Sequence, residues 1–164
     1  MYHLLVMGVS GCGKSTIAVQ LHARLPQQYL DADDFHPQEN KQKISSGIPL
    51  TDDDRQPWLT KVNAAVKASE NKQGVILACS ALKHQYRETL MQGLAWPMHI
   101  IWLHGDKNTL LDRLEQRQGH FAKANILDSQ IATLQPPDVQ PFDIAESAEQ
   151  IVEKILQTLG HKSN

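Results

Sequence analysis

The sequence predicts an α/β fold of three layers, with a central parallel sheet of five strands and helices on both faces. Two observations carry this. The chain opens on a strand, a glycine-rich loop and a helix in direct succession, and strand-sized apolar segments then alternate with helical patterns along most of its length. At 164 residues it is sized for a single domain with a substantial core. A formal net charge of −2 argues against a broad basic surface, so neither nucleic acid nor an anionic membrane is expected as a partner. The longest apolar runs fall far short of a bilayer span, and no signal-peptide pattern precedes the first strand. Cys12 and Cys79 form no disulfide framework, so reduced thiols in a cytoplasmic protein are expected.

The elements follow in order. His3–Met7 is a short apolar run of the kind that makes a buried strand. Helical spacing runs from Lys14 to Leu25, with Ile17, Leu21 and Leu25 four apart on one face. Strands are expected at Gln28–Leu30, Val75–Cys79, His99–Leu103 and Phe142–Ala145. Helices are expected at Arg55–Ser69, His84–Met91, Asn108–Arg117, Ile126–Leu134 and Ala148–Leu159. Two segments exceed what a crossover needs. One, about residues 35–70, suits an acceptor-binding insert, and the other, about 116–126, suits a short lid. Gly160 onward is expected to fray.

Between the first strand and helix lies Gly8-Val9-Ser10-Gly11-Cys12-Gly13-Lys14-Ser15, which matches the phosphate-binding pattern G-x-x-x-x-G-K-[ST] at every required position. Glycines let the backbone turn its N–H groups around phosphate oxygens, and the helix N-terminus adds positive dipole. Lys14 is placed to reach the β- and γ-phosphates, and Ser15 to complete a Mg²⁺ shell, with Thr16 on the first helical turn. A structural glycine turn explains neither Lys14 nor Ser15, so a nucleoside triphosphate site is predicted.

The second strand ends in Leu30-Asp31-Ala32-Asp33-Asp34-Phe35-His36-Pro37. Ligands of parallel sheets sit at the C-terminal strand ends, one strand away from the phosphate loop here. Asp31 and Asp33 suit two roles. One would hold metal-bound water, and the other would accept the hydrogen bond of an acceptor hydroxyl. An Asp-rich turn capping the next helix is the plainer alternative, and it fits Asp34 best.

The phosphate loop, then LDADDFHP, then Asn40-Lys41-Gln42-Lys43 with GIPLTDDDRQPWL, then CSALKHQYR and RLEQRQGHF together resemble the gluconokinase family, in the same order and over about residues 4–135. The segment from His36 to Leu59 and the CSALK block are the specific parts of that resemblance. It implies a P-loop kinase fold related to shikimate and nucleoside-monophosphate kinases. It also implies ATP and Mg²⁺ as cofactors, D-gluconate as the small-molecule substrate, 6-phospho-D-gluconate as product, and a homodimer. Asp33 resembles the acceptor-contacting aspartate and Asp31 the one that orients the metal shell through water. His36, Asn40, Lys43, Asp54, Arg55 and Trp58 lie in the insert, with His36, Lys43 and Arg55 expected to bind the acceptor. Arg55 suits a bidentate clamp on the sugar-acid carboxylate, or an ion pair with Asp52 or Asp54. Trp58 suits the core, and Thr51-Asp52-Asp53-Asp54 a helix N-cap cluster.

Lys83 and Arg87, four apart, are expected on one helical face, holding either the acceptor carboxylate or the transferring phosphoryl group, or else lying exposed. Arg113 and Arg117 repeat that spacing, and the resemblance implies arginines there that close over the triphosphate, with Arg117 the catalytic one beside Lys14 and Asp33. His120 either contacts phosphate or caps the lid, and Pro136-Pro137-Asp138-Val139 is expected near adenine. Two departures stand out. The third strand ends in Cys79-Ser80 without an aspartate, and Cys12 places in the loop a thiol open to oxidation. The rival readings are a kinase for another aldonate or shikimate, and a nucleotide-binding switch that transfers nothing.

Overall fold

The computed structural model describes residues 1–70, 73–116 and 120–160, with the backbone alone for 120–124. Five strands, β1 (His3–Met7), β2 (Gln28–Asp31), β3 (Val75–Ala78), β4 (Met98–His104) and β5 (Phe142–Asp143), form one sheet in the order β2-β3-β1-β4-β5. Every pairing is parallel, with Leu5 of β1 opposite Leu77 of β3 and Ile100 of β4. Seven α-helices are described: α1 (Lys14–His22), α2 (Gln38–Ser45), α3 (Asp52–Ala68), α4 (His84–Met91), α5 (Lys107–Glu115), α6 (His120–Thr133) and α7 (Ala148–Thr158).

All five residues of β1 are buried, because helices cover both faces of the central strand. Alternation then divides the core. Leu4 and Val6 pack with Ile17 and Leu21 of α1 and Ile151 and Ile155 of α7, whereas Leu5 and Met7 pack with Leu59 and Val62 of α3 and Leu90 of α4. Strand β1 therefore ends firmly held at the mouth of the glycine loop, which is what the site requires of it.

Predicted and observed elements agree closely except in the insert, at the end of β2 and in α6, which begins at His120 rather than Ile126 and so runs through much of the expected lid. Helix α2 was not expected. Its sequence QENKQKIS has no apolar stripe, and only Asn40 is buried, so polar contacts to α3, from Asn40 and Lys43, hold it. Helix α3 begins three residues before the predicted Arg55 because Thr51 caps it. The Thr51 hydroxyl accepts from the Asp54 N–H at 3.1 Å, and the Asp54 carboxylate accepts from the Thr51 N–H at 2.9 Å. Strand β2 stops at Asp31, and Ala32–Phe35 forms a 3₁₀ turn capped by Asp31, which accepts from the Asp33 N–H at 3.0 Å. Asp33 is therefore on the 3₁₀ turn and Asp31 on the strand, so the two carboxylates stand on different backbone.

Candidate active site

A cavity of about 570 Å³ opens at the C-terminal ends of β1, β2 and β3, where an open α/β sheet is expected to hold its ligand. The phosphate loop forms one wall, the 3₁₀ turn and the insert a second, and α6 a third. Among the described residues, its charged lining residues are Lys14, Asp33 and Arg55. A second cavity of about 400 Å³ lies behind the loop, between Arg113 of α5 with its C-cap Gln116, and Glu146 with Ala148 and Ile151 of α7. The Pro136–Val139 stretch lines neither cavity.

The loop has the geometry its sequence requires. Gly11 and Gly13 hold φ values of 84° and 93°, a left-handed backbone that favours glycine. A Cβ on Gly8 would lie 2.6 Å from the Leu103 carbonyl oxygen, so no side chain fits there. The Lys14 ammonium donates to the Val9 carbonyl at 3.1 Å and lies 3.9 Å from Cys12 Sγ. Cys12 is 2% exposed, which shields the thiol and counters the expectation of ready oxidation. The Ser10 N–H donates to Gln130 Oε1 of α6 at 2.6 Å, so a side-chain oxygen already satisfies one loop donor. Arg113 stands beside the loop as expected, anchored by a 2.5 Å hydrogen bond to the Ile144 carbonyl. Arg117 lies outside the described residues, as does the side chain of His120.

Asp31 accepts from the Ser15 hydroxyl and from the Tyr29 hydroxyl, each at 3.1 Å. It thereby sets one carboxylate against the loop hydroxyl, an all-oxygen pair of the kind that hard cations take. Asp33 faces the cleft. The surrounding protein desolvates its carboxyl and Asp31 repels its charge, both raising its pKa, while Lys14 partly offsets them.

The insert wall is built from helices α2 and α3. The His36 ring stacks on Trp58 at 4.0 Å between centroids and 18° between planes, with its Nε2 3.7 Å from Asp33 Oδ1. Burial, with positive charge from Arg55 and Lys41, pushes the His36 pKa down to about 4, so the ring is neutral at pH 7. Trp58 is buried and donates its indole N–H to the Ala32 carbonyl at 2.6 Å, serving both core and cavity wall. Arg55 makes no ion pair with Asp52 or Asp54 among the interactions described. It donates instead to the Leu50 carbonyl and, at 3.3 Å, to the Tyr86 hydroxyl, with its guanidinium 5.3 Å from the Tyr86 ring centroid. Tyr86 in turn donates to Asp52.

Three predicted acceptor ligands are not brought into the cleft. Lys43 pairs with both Asp54 oxygens at 3.0 and 2.8 Å, and that pairing leads the causes holding the Asp54 pKa near 2. Lys83 pairs with both Asp52 oxygens at 2.9 and 3.0 Å. It is the extended N-cap of α4, so it shares no helical face with Arg87. Arg87 is buried, donating to the carbonyls of Ala81 at 2.8 Å, Leu82 at 3.2 Å and Gln135 at 2.9 Å. It fastens the turn after β3, where Ala81 holds a left-handed φ of 46°, to the segment following α6. Sequence reasoning missed Gln130 and the apolar wall of Ile44, Ile48 and Leu50, and no spacing pattern marks either.

A family model described as an AAA domain matches residues 4–137. The chain is 40% identical over 171 residues to a probable gluconokinase of Xenopus tropicalis, covering 95% of this chain and 90% of the relative. It is 43% identical over 142 residues to the thermosensitive gluconokinase of Escherichia coli K12, covering 85% and 75%. Among solved structures, a gluconokinase from Sinorhizobium meliloti 1021 superposes with a TM-score of 0.86 at 36% identity, over 96% of this chain and 91% of that one. A shikimate kinase from Aquifex aeolicus, at 14% identity and a TM-score of 0.61 over 98% and 96%, shares the fold.

Proposed function

Because this chain belongs to the gluconokinase family, we propose that it phosphorylates D-gluconate to 6-phospho-D-gluconate with ATP. The observation that carries the reading is the distribution of charge around one cleft: Lys14 at the loop, Asp33 on the 3₁₀ turn and Arg55 on the insert. Gluconate has a hydroxyl at one end and a carboxylate at the other. Its terminal hydroxyl meets Asp33 and its carboxylate meets Arg55, whose planar fork suits a carboxylate.

In the proposed step Lys14 and the loop N–H groups hold the phosphates, and Asp33 orients the hydroxyl. As the oxygen–phosphorus bond forms in line, Asp33 takes the hydroxyl proton and ADP leaves, with no covalent phosphoenzyme. Ser15 and Asp31, with their adjacent oxygens, are the residues that would hold Mg²⁺. Such an ion, when bound, draws off charge from the phosphate oxygens. Residues 116–126 are assigned as the lid and Arg117 as the cation that stabilises the transferred group. A cytoplasmic setting suits the two cysteines, both buried and free. No described helix is long and apolar enough to cross a membrane. A homodimer is the proposed assembly.

The experiment is coupled ADP release with MgATP across gluconate, other aldonates, shikimate and nucleoside monophosphates. Gluconate-dependent ADP with 6-phosphogluconate as product supports the reading. Turnover confined to another acceptor, or ATP binding with no acceptor-dependent ADP, overturns it.

A further inference from the structure

His36 stands between two groups that pull its two ring nitrogens into different roles. On one side lies the Asp33 carboxylate, 3.7 Å from Nε2, and on the other the side-chain amide of Asn40, 3.3 Å from Nδ1. Asn40 is 2% exposed, so no bulk water competes for these bonds. Its amide nitrogen also donates to the Asp54 carbonyl at 2.9 Å, and that second bond decides the orientation of the amide. A flipped amide would set oxygen against the carbonyl oxygen of Asp54. With nitrogen in place, its two hydrogens serve Asp54 and His36 together, so Nδ1 must offer its lone pair and Nε2 must carry the proton.

We propose that Asn40 is a positioning residue that locks His36 as the neutral tautomer with its proton on Nε2, so that an N–H donor stands beside the Asp33 carboxylate and both address the acceptor hydroxyl. The inference rests on the kinase reading above and adds to it a specific hydrogen-bond pattern. A hydroxyl oxygen about 2.8 Å from both Nε2 and Asp33 Oδ1 closes a triangle on the observed 3.7 Å separation. The oxygen then accepts from His36 while its own proton points to Asp33. His36 neither gains nor loses a proton in the step, since the hydroxyl proton goes to Asp33. A donor on one side and an acceptor on the other fix which lone pair of the hydroxyl is free to attack.

The groups facing the ring agree with a neutral imidazole. Trp58 covers one face from α3, Arg55 and Lys41 add positive charge from α3 and α2, Asp31 at the end of β2 opposes them, and Asp33 on the 3₁₀ turn stands 3.7 Å from Nε2. Burial is the largest influence and it disfavours the imidazolium.

The test has two arms. Long-range ¹H–¹⁵N correlation spectra of the free protein at pH 7, with the His36 signal assigned by its loss in His36→Gln, should show the Nε2-protonated tautomer. A proton on Nδ1, or a doubly protonated ring, overturns the proposal without reference to any substrate. In the kinetic arm, glutamine places an amide N–H near the position of Nε2, and asparagine places one near Nδ1. With the KM for ATP unchanged as a control on folding, His36→Asn should turn over gluconate at least about tenfold more slowly than His36→Gln, the scale of one hydrogen bond. Equal losses in the two variants would make His36 a packing partner of Trp58 and refute the positioning role. Absence of gluconate turnover in the wild type would instead overturn the kinase reading, and the tautomer spectra alone would then decide for or against the lock.

Discussion

Removing the Tyr86 hydroxyl should weaken acceptor binding while leaving the nucleotide half of the site intact. Arg55 is held at three points: the Leu50 carbonyl, the Tyr86 hydroxyl at 3.3 Å, and the face of the same ring at 5.3 Å. Tyr86→Phe keeps the ring, and with it a cation–π contact of about 0.5–1 kcal/mol, but deletes the hydroxyl. Hydrogen bonds to charged groups contribute about 1.5–3 kcal/mol, and the length of this one places it at or below the lower end. A loss of about 1.4 kcal/mol corresponds to a factor of about ten in binding. Because Arg55 sits far from the transferring phosphorus in the proposed pose, the loss falls equally on ground and transition states and appears in KM. The assay is steady-state kinetics with gluconate and with glucitol, a neutral polyol of the same length. The KM for gluconate should rise roughly tenfold while the KM for ATP holds, and use of glucitol should not change. An unchanged KM for gluconate, or parallel losses for the neutral polyol, would refute the role given to Arg55.

Three further outcomes are expected. Asp33→Asn should leave ATP binding near wild type while removing phosphoryl transfer, read by ATP titration beside turnover. Loss of ATP binding alone would place Asp33 in the nucleotide site. Arg87→Met strands three carbonyls that the guanidinium now satisfies, so it should lower stability by about 3 kcal/mol, which denaturant unfolding measures, rather than raise the KM for gluconate selectively. The Lys43–Asp54 pair makes a pH prediction. The folded carboxyl titrates at about 2 against an ordinary 3.8, so its contribution is fully present above pH 3.8 and is lost as pH falls toward 2. The gap in Tm between the wild type and Lys43→Met should therefore be steady from about pH 7 to 5 and close between about pH 4 and 2. A gap that persists at the acid end would contradict it.

The parts of the fold legible in the sequence are those where backbone and pattern coincide. His3–Met7, buried along its whole length, and His84–Met91 have the predicted bounds, because apolar runs and helical spacing report burial directly. The phosphate loop was equally legible, since only glycine tolerates its left-handed turns. Helix α2 was not, because its one buried residue is Asn40, and a helix docked through an amide and the Lys43–Asp54 ion pair leaves no periodic apolar trace. Charged residues misled for a related reason. A sequence shows that Lys43, Lys83 and Arg87 are cationic, but pairing partners eleven and thirty-one residues away, or backbone carbonyls, decide what those cations are free to do.

In the proposed pose, that pairing would let the insert select charge. It presents Asp52, Asp54, Lys43 and Arg55 close together, and Lys83 joins them from the start of α4. Lys43 neutralises Asp54 on the outer side of α3, and Lys83 neutralises Asp52, which also accepts from Tyr86. Arg55 is left facing the cleft, bound to a neutral carbonyl and a neutral hydroxyl, with its charge uncompensated by either. An insert with these acids unpaired would repel an anionic acceptor, and one with Arg55 tied to Asp52 would have no cation to offer it. Tyr86 is the residue that separates the two. Its hydroxyl donates to Asp52 and accepts from Arg55, so it holds the guanidinium in place without cancelling its charge. In the proposed pose, selectivity for an acid over a neutral polyol would therefore depend on a phenol that need not touch the substrate.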